Sequence, residues 1–232
     1  MRKQQQIWHD EHANQGILPT MANAEPASGV ILFTEWLKSQ RVTPAGKVVD
    51  IGAGKGRNSV HLAKVGFEVW ALEYIESAIT VAKQLAEKND VGSKIHFELA
   101  EVDTDWKIDD NFFDLAIDSF SSIDIETKSG REKCRDEMYR TLKPGGYALV
   151  TVCSTEDEWE KELIANNPGP EPNSTVWPQN GKFQKDYDEA ELREFYHMFD
   201  VVKLETINKP GFKLGRNCTV TNFWVVLKKP TQ

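Results

Sequence analysis

The sequence has few cysteines and no excess of basic residues, and these shortages exclude several classes of protein. Its 232 residues contain three cysteines, which are widely spaced and odd in number: Cys134, Cys153 and Cys218. They predict neither a disulfide framework nor a zinc site, so we expect a reducing, cytoplasmic location. The formal net charge is −8, whereas binding along a nucleic-acid backbone requires a basic face. We therefore expect no nucleic-acid partner.

Long apolar runs are also missing from the sequence. No run approaches the roughly 20 residues that are needed to span a bilayer, and the N-terminal stretch MRKQQQIWHDEH lacks the apolar core of a signal peptide. We expect no membrane partner. His9 and His12 lie close together, but no cysteine or carboxylate pattern completes a site around them. We predict no bound metal, and the composition gives no indication of the oligomeric state.

Apolar runs alternate with amphipathic stretches through the first two thirds of the chain, which predicts βαβ units and a mainly parallel sheet. The predicted strands are residues 48–51, 68–72, 95–99, 113–117 and 147–152. The predicted helices between and before them are residues 30–38, 59–65, 77–88 and 131–142. Two last strands, 199–207 and 220–227, are joined by a connection too short for a helical crossover, so we expect them to be antiparallel. The predicted fold is α/β, a Rossmann-like, doubly wound, mainly parallel sheet with a C-terminal antiparallel strand pair.

A glycine-rich turn directly follows the first predicted strand. Residues 48–60 read VVDIGAGKGRNSV, so Gly52, Gly54 and Gly56 stand between an apolar strand and a helix. Glycine lets the backbone turn tightly and approach a ligand closely, and turns of this kind bind nucleotide-like ligands. The Gly-Lys pair is not followed by Ser or Thr at the spacing of a P-loop, which excludes that alternative.

Two details of this turn favour S-adenosylmethionine over NAD as the ligand. The spacing is GxGxG rather than GxGxxG, and Asp50 ends the strand just before the turn. A carboxylate there would repel a pyrophosphate but suits the ammonium group of a methionine, directly or through water. Glu73 closes the next strand, where a carboxylate can accept hydrogen bonds from both ribose hydroxyls.

The sequence resembles class I S-adenosylmethionine-dependent methyltransferases over residues 45–155. Those enzymes typically read D-x-G-x-G-x-G and then D-x-S-x-x-A-[IL]-x-x-A, and residues 73–82 here read EYIESAITVA. Their third block, F-x-x-G-D-A, is similar to FELAEV at residues 97–102. The later blocks FDL at residues 113–115 and LKPGG at residues 142–146 follow in the same order.

Within this class the chain looks most like the small-molecule, tellurite-resistance-type branch. The segments that carry this finer resemblance are GRNS at residues 56–59, KPGGY at residues 143–147 and ELREFY at residues 191–196. The branch usually has a His-Arg pair in the final connection between strands. Here that connection offers instead Lys209, Lys213 and Arg216.

The resemblance implies S-adenosylmethionine as the cofactor and a set of residues that bind it. These are Asp50, Gly52, Ala53, Gly54, Arg57, Glu73, Tyr74, Glu101, Val102 and Asp118. The acidic residue of the third block meets the adenine amino group in such enzymes. It corresponds to Glu101 here, or to Asp103 if the register of the block changes.

The implied activity is transfer of a methyl group to a small-molecule acceptor at oxygen, nitrogen, sulfur or a metalloid. Because a sulfonium methyl is already a good electrophile, such an enzyme acts mainly by positioning the acceptor and excluding water. Candidates for deprotonating or orienting the acceptor are Asp118, Tyr187 and His197. Two alternatives stay open: a non-catalytic module that binds S-adenosylmethionine, and an NAD-linked oxidoreductase on a similar sheet.

The length suits one domain with additions that bind a substrate. We predict a single methyltransferase domain over residues 1–232, made of four parts. They are an N-terminal arm and helix (1–45), a cofactor-binding core (46–155), a substrate loop or lid and helix (156–198), and the final antiparallel strands (199–229). The loop, residues 166–186, is rich in proline, and we expect its Trp177 and the N-terminal arm to close over the acceptor.

Overall fold

The computed structural model describes residues 2–14, 25–213 and 215–231, which form a seven-stranded sheet between two layers of helices. The α-helices are α1 (Lys3–Asn14), α2 (Ser28–Ser39), α3 (Arg57–Val65), α4 (Glu76–Lys88), α5 (Lys128–Thr141), α6 (Glu158–Asn166) and α7 (Glu189–Phe195). The strands are β1 (Lys47–Ile51), β2 (Glu68–Glu73), β3 (Ile95–Leu99), β4 (Phe113–Ser119), β5 (Leu142–Cys153), β6 (Ser174–Val176), β7 (Phe183–Lys185), β8 (Asp200–Lys213) and β9 (Arg216–Lys228). Short 3-10 helices lie at Gly92–Lys94 and Ser122–Asp124.

The large sheet has the strand order β3-β2-β1-β4-β5-β9-β8, and β6 and β7 form a separate hairpin. The first five strands of that order are parallel, while β9 runs antiparallel to both of its neighbours. The predicted fold class is confirmed. The strand order reverses between β1 and β4, and ligands of such sheets bind in the crevice at the carboxyl ends of the strands around this point.

The core consists of two apolar layers, one on each face of the sheet. Successive residues of a strand point to opposite faces, so Val48 packs with α2 and α3 while Val49 packs with α5 and α7. On β4, Leu115 and Ala116 divide in the same way, and all four side chains are buried. Burial on both faces explains why the central strands read as continuous apolar runs in the sequence.

The N-terminal segment, predicted to be an irregular arm, begins with the helix α1. Its buried positions are Gln4, Ile7 and Glu11, which lie on one face of the helix. Two of these three side chains are polar, so the hydrophobic periodicity that reveals other helices is missing here. The part of the arm at residues 15–24, including Pro19, lies outside the described residues.

The proline-rich segment 166–186, predicted to be a loop or lid, contains two short strands and packs against the rest of the molecule. The segment carries the β6–β7 hairpin, and buried cations fix it to the rest of the molecule. The Lys185 ammonium forms an ion pair of 2.7 Å with Glu191 of α7, and the guanidinium of Arg131 in α5 bonds to Glu171. A buried cation needs such partners, and Lys185 also donates to the carbonyl oxygens of Pro172 and Asp186 in its own segment.

The final strand pair is longer than the sequence predicts. Residues 208–219 were expected to connect the two strands, but β8 and β9 stay paired up to Lys213 and Arg216. The antiparallel pairing itself is confirmed. The outer half of the pair is largely exposed, so it needs no apolar alternation and gives no strand signal in the sequence.

No helix in the described ranges is long and apolar enough to cross a lipid bilayer.

We predict that Gly66→Ala destabilises the protein more than Gly215→Ala. Both glycines have positive φ angles, +130° and +86°, and a side chain in a left-handed conformation costs about 1–2 kcal/mol. A Cβ at Gly66 would also lie 2.4 Å from the carbonyl oxygen of Pro44, whereas one at Gly215 would meet nothing within 4 Å. Urea unfolding of both variants measures the difference. Equal losses of stability would show that the close contact with Pro44 relaxes without cost.

Candidate cofactor and acceptor site

A cavity of about 880 Å³ lies where the carboxyl ends of four parallel strands meet. Gly52 follows β1, Glu73 ends β2, Ser119 ends β4 and Thr151 lies near the end of β5, and all four line the cavity. The facing wall comes from α1, the β6–β7 hairpin and its flanks: Gln4, Trp8, His12, Trp177, Lys182 and Gln184. The cavity therefore has a wall built from the motif residues and an opposite wall built from late and early segments of the chain.

The glycine-rich turn after β1 keeps the motif side of the cavity open. Gly52 and Gly54 have φ angles of +63° and +55°, in the region that favours glycine. A Cβ at Gly52 would collide with the Ser121 hydroxyl at 1.9 Å, so this position is fixed by packing. A Cβ at Gly54 would point toward His12 instead, at 3.7 Å. The backbone of Gly54 is therefore exposed to the cavity without a side chain in front of it.

The carboxylate of Glu73 joins the end of β2 to the glycine-rich turn. It accepts hydrogen bonds from the backbone N–H groups of Gly54, Tyr74 and Ile75, each 2.8 Å long. Burial raises the pKa of Glu73, and the three N–H groups act against that rise by stabilising the charged form. The side chain lies in the cavity wall, where its oxygens can also accept hydrogen bonds from hydroxyl groups of a bound ligand.

Asp50 and Asp118 lie behind the cavity wall rather than in it. Asp50 accepts a 2.6 Å hydrogen bond from the Ser59 hydroxyl of α3, and burial raises its pKa to about 6. Asp118 accepts the backbone N–H groups of Ser121 and Ser122 at 3.1 Å, and burial raises its pKa too. Asp118 thus holds the turn after β4, and Asp50 holds the first turn of α3. Because Asp50 does not line the cavity, its contact with a ligand, direct or through water, stays a prediction.

The acidic pair Glu101 and Asp103 lies together in the wall, and Arg2 of the N-terminal segment binds both. Its guanidinium contacts the Asp103 carboxylate at 2.5 Å and 3.2 Å and the Glu101 carboxylate at 3.2 Å. Asp103 is the better enclosed of the two, with 10% of its side chain exposed against 41% for Glu101. Glu101 and Asp103, the two candidates for the acidic residue at the adenine site, thus both line the cavity, as does Val102.

Of the other predicted cofactor residues, Ala53, Arg57 and Tyr74 line the cavity. The catalytic candidates Tyr187 and His197 do not. Tyr187 is buried against Phe195, and burial raises its pKa. The exposed His197 bonds through Nδ1 to the carbonyl oxygen of Glu194.

Several residues of the cavity wall have no sequence motif that could have revealed them. They are Arg2, Gln4, Trp8, Glu160, Lys182 and Gln184. Each comes from a segment outside residues 45–155 and reaches the cavity only through the fold. Trp177 is the exception, because an aromatic residue in a proline-rich segment had marked it as a candidate.

The polar groups that line this cavity fit S-adenosylmethionine. Glu73 provides acceptors for ribose hydroxyls, Gly54 leaves space beside the turn, and Glu101 or Asp103 can accept an adenine amino group. Once bound, the cofactor would supply a methyl group on a positively charged sulfur. The described residues contain no group of three or more His, Cys, Asp or Glu side chains that could hold a metal ion.

Comparison with known proteins identifies the family. The methyltransferase domain family matches residues 43–199, well over half of the chain. The chain therefore belongs to this family, as a class I S-adenosylmethionine-dependent methyltransferase, and S-adenosylmethionine is its cofactor.

Two curated relatives have different acceptors in their names. The chain is 28% identical over 137 residues to human EEF1A lysine methyltransferase 2, covering 56% of each protein. It is 32% identical over 110 residues to demethylmenaquinone methyltransferase of Clavibacter sepedonicus, covering 47% of this chain and 42% of that protein. The chain spans about half the length of these relatives.

Solved structures show the same fold. A methyltransferase from Methanosarcina mazei aligns with a TM-score of 0.73 at 19% identity, covering 84% of this chain and 98% of that one. TehB from Haemophilus influenzae aligns with a TM-score of 0.62 at 19% identity, covering 84% of this chain and 62% of that one. At these identities the likeness concerns the fold alone.

We predict that Glu73→Gln lowers the affinity for S-adenosylhomocysteine by about tenfold to a hundredfold. Hydrogen bonds to a charged group contribute about 1.5–3 kcal/mol, and the amide keeps the shape while losing the charge. Isothermal titration calorimetry measures the change, with Glu76→Gln as the matched control because Glu76 is exposed at the start of α4. Unchanged affinity in a folded Glu73→Gln variant would remove this residue from the cofactor site. NAD should give no binding heat with the unmodified protein.

Proposed function

We propose that this protein transfers the methyl group of S-adenosylmethionine to a small-molecule acceptor held in the same cavity. The observation that supports the proposal is the position of α1, which bridges the two walls of the cavity. Arg2 binds the acidic pair on the cofactor side. Two residues later, the Gln4 side chain binds the β6–β7 hairpin on the other side.

The attachment of α1 to the hairpin is specific. The Gln4 amide accepts the backbone N–H of Phe183 and donates to its carbonyl oxygen, both at 3.1 Å. It also donates to the carbonyl oxygen of Asp124 at 3.2 Å, and Asn180 donates to the Glu11 carboxylate at 2.9 Å. These bonds hold the helix across the cavity.

This covering favours a small acceptor over a protein. A lysine side chain of a folded protein must enter from the surface with its backbone close behind, and α1 stands in the way. A small molecule can be enclosed completely, which excludes water and fixes its orientation. The lysine methyltransferase among the relatives makes a protein acceptor the competing proposal.

In the proposed reaction this chain acts by binding and positioning. Gly52, Ala53, Gly54, Arg57, Glu73, Tyr74, Glu101 and Val102 hold the cofactor. Asp50 and Asp118 support them through the turns described above. No residue is assigned as a general base, because acceptors of low pKa need none. We further propose that residues 1–232 act as one domain, in the cytoplasm, where the free thiols of Cys134, Cys153 and Cys218 would stay reduced.

Transfer of radioactive methyl groups tests the proposal directly. The protein is incubated with labelled S-adenosylmethionine and either a small-molecule extract or the protein fraction of the same cells. We expect label in the small-molecule fraction. Label confined to protein would favour the competing proposal, and cofactor binding without any transfer would indicate a non-catalytic module.

We predict that Gln4→Ala speeds the dissociation of S-adenosylhomocysteine about tenfold or more. The substitution removes the bonds to Phe183, and neutral hydrogen bonds contribute about 1 kcal/mol each, so α1 opens more readily. Quenching of Trp8 and Trp177 fluorescence in a stopped-flow displacement experiment measures the rate. Gln6→Ala is the matched control, since Gln6 is exposed and bonds to Asp10 of its own helix. Identical rates in the two variants would mean that α1 does not control release.

A further inference from the structure

A buried cluster of charged residues lies at the cavity wall that faces the glycine-rich motif, where we place the methyl acceptor. Its carboxylates are Asp124, Asp157, Glu160 and Asp186, and its ammonium groups are Lys182 and Lys213. Three of these carboxylate residues are at most 1% exposed, the exception being Asp124. Buried charges are retained only where partners compensate them. A buried charged group that lacks a partner within the protein therefore indicates which kind of ligand the cavity can bind.

Most of these groups are satisfied within the protein. Lys182 pairs with Asp124 at 3.3 Å and donates to Gln184 at the same distance. Asp157 accepts the backbone N–H groups of Trp159, Glu160 and Thr221, which fixes the start of α6. These contacts account for Lys182 and Asp157 without any ligand, whereas Asp124 has its ion pair with Lys182 but no hydrogen-bond partner at Oδ1 within the described residues.

Glu160, like Asp124 and Asp186, has one buried carboxylate oxygen without a hydrogen-bond partner within the described residues. The Oε1 atom pairs with the Lys213 ammonium at 2.7 Å. The Oε2 atom is buried and has no hydrogen-bond partner within the described residues. Glu160 is 1% exposed and lines the cavity. A buried carboxylate oxygen in a cavity wall is an acceptor that awaits a donor.

Carboxyl groups outnumber ammonium groups in this cluster. Asp124, Asp157, Glu160 and Asp186 face the two ammonium groups of Lys182 and Lys213. Burial raises the pKa of Asp186 well above its usual value, and the charge of Glu160 acts in the same direction. A further cationic group is therefore electrostatically favourable at this place.

Aromatic rings complete this part of the wall. Trp8 and Trp177 both line the cavity, and the Lys182 ammonium lies 5.2 Å and 4.3 Å from their ring centroids. The faces of such rings attract cations, and their area packs against flat apolar groups. The wall thus combines an unpaired carboxylate oxygen with two indole rings.

We propose that the acceptor carries a cationic nitrogen, which binds the free oxygen of Glu160, on an aromatic or otherwise apolar body that packs near Trp8 and Trp177. The inference concerns recognition, so the methylated atom can be this nitrogen or another atom. It rests on the proposed function, because it places a small molecule in the cavity beside the cofactor.

Three probes that share one skeleton and differ in charge test this inference. They are 2-phenylethylamine, 2-phenylethanol and phenylacetate, titrated by calorimetry into the protein saturated with S-adenosylhomocysteine. We expect the amine to bind at least about tenfold more tightly than the alcohol, and the acid to bind most weakly. Equal binding, absent binding of all three, or a preference for the acid would overturn the inference.

A pair of variants in the same helix locates the effect. Glu160→Gln keeps the shape of the side chain and should weaken binding of the amine about tenfold or more while leaving the alcohol unchanged. Glu162→Gln is the control, because Glu162 is exposed and pairs with Arg216 at the surface. Unchanged affinity of Glu160→Gln for the amine would refute the role of Glu160.

Two further readouts separate the possible failures. S-adenosylhomocysteine affinity and the thermal midpoint of Glu160→Gln show whether the variant is folded, and the charge preference of the unmodified protein needs no variant at all. Failure of the methyl-transfer experiment would count against the proposed function, whereas a different charge preference counts only against the inference about the acceptor.

Discussion

The Glu73 carboxylate is the contact on which the architecture of the cavity depends. It accepts hydrogen bonds from N–H groups of the turn after β1 and of the residues that follow β2. One side chain therefore sets the distance between the carboxyl ends of these two strands. A carboxylate bound by three N–H groups is stable in a buried place. The same atoms that organise the turn also lie in the cavity wall, where they can bind a ribose.

The central strands β1, β4 and β5 could be predicted from the sequence because burial on both faces produces apolar runs, which are typical of parallel sheets. The elements that were not predicted bury polar side chains as well as apolar ones. α1 buries Gln4 and Glu11, and the 166–186 segment buries Lys182. Each of these polar side chains is bound by a partner far away in the chain, and local periodicity holds no information about such partners.

The two sides of the cavity also differ in how far their residues could be predicted from local sequence. On the cofactor side, Gly54 and Glu73 stand in a short motif with fixed spacing, so their proximity follows from one strand-turn-helix unit. On the acceptor side, Trp8, Glu160 and Lys182 come from three separate parts of the chain. Their meeting depends on how α1, α6 and the hairpin dock, which the sequence alone did not reveal.

The docking of Gln4 on Phe183 has a consequence for the surface of the molecule. The amide occupies the outward N–H and C=O of a residue in a two-stranded hairpin, much as a neighbouring strand would. Unpaired groups at a strand edge are a template on which another chain can add a strand. The side chain that attaches α1 to the hairpin therefore also protects this strand edge from pairing with another chain.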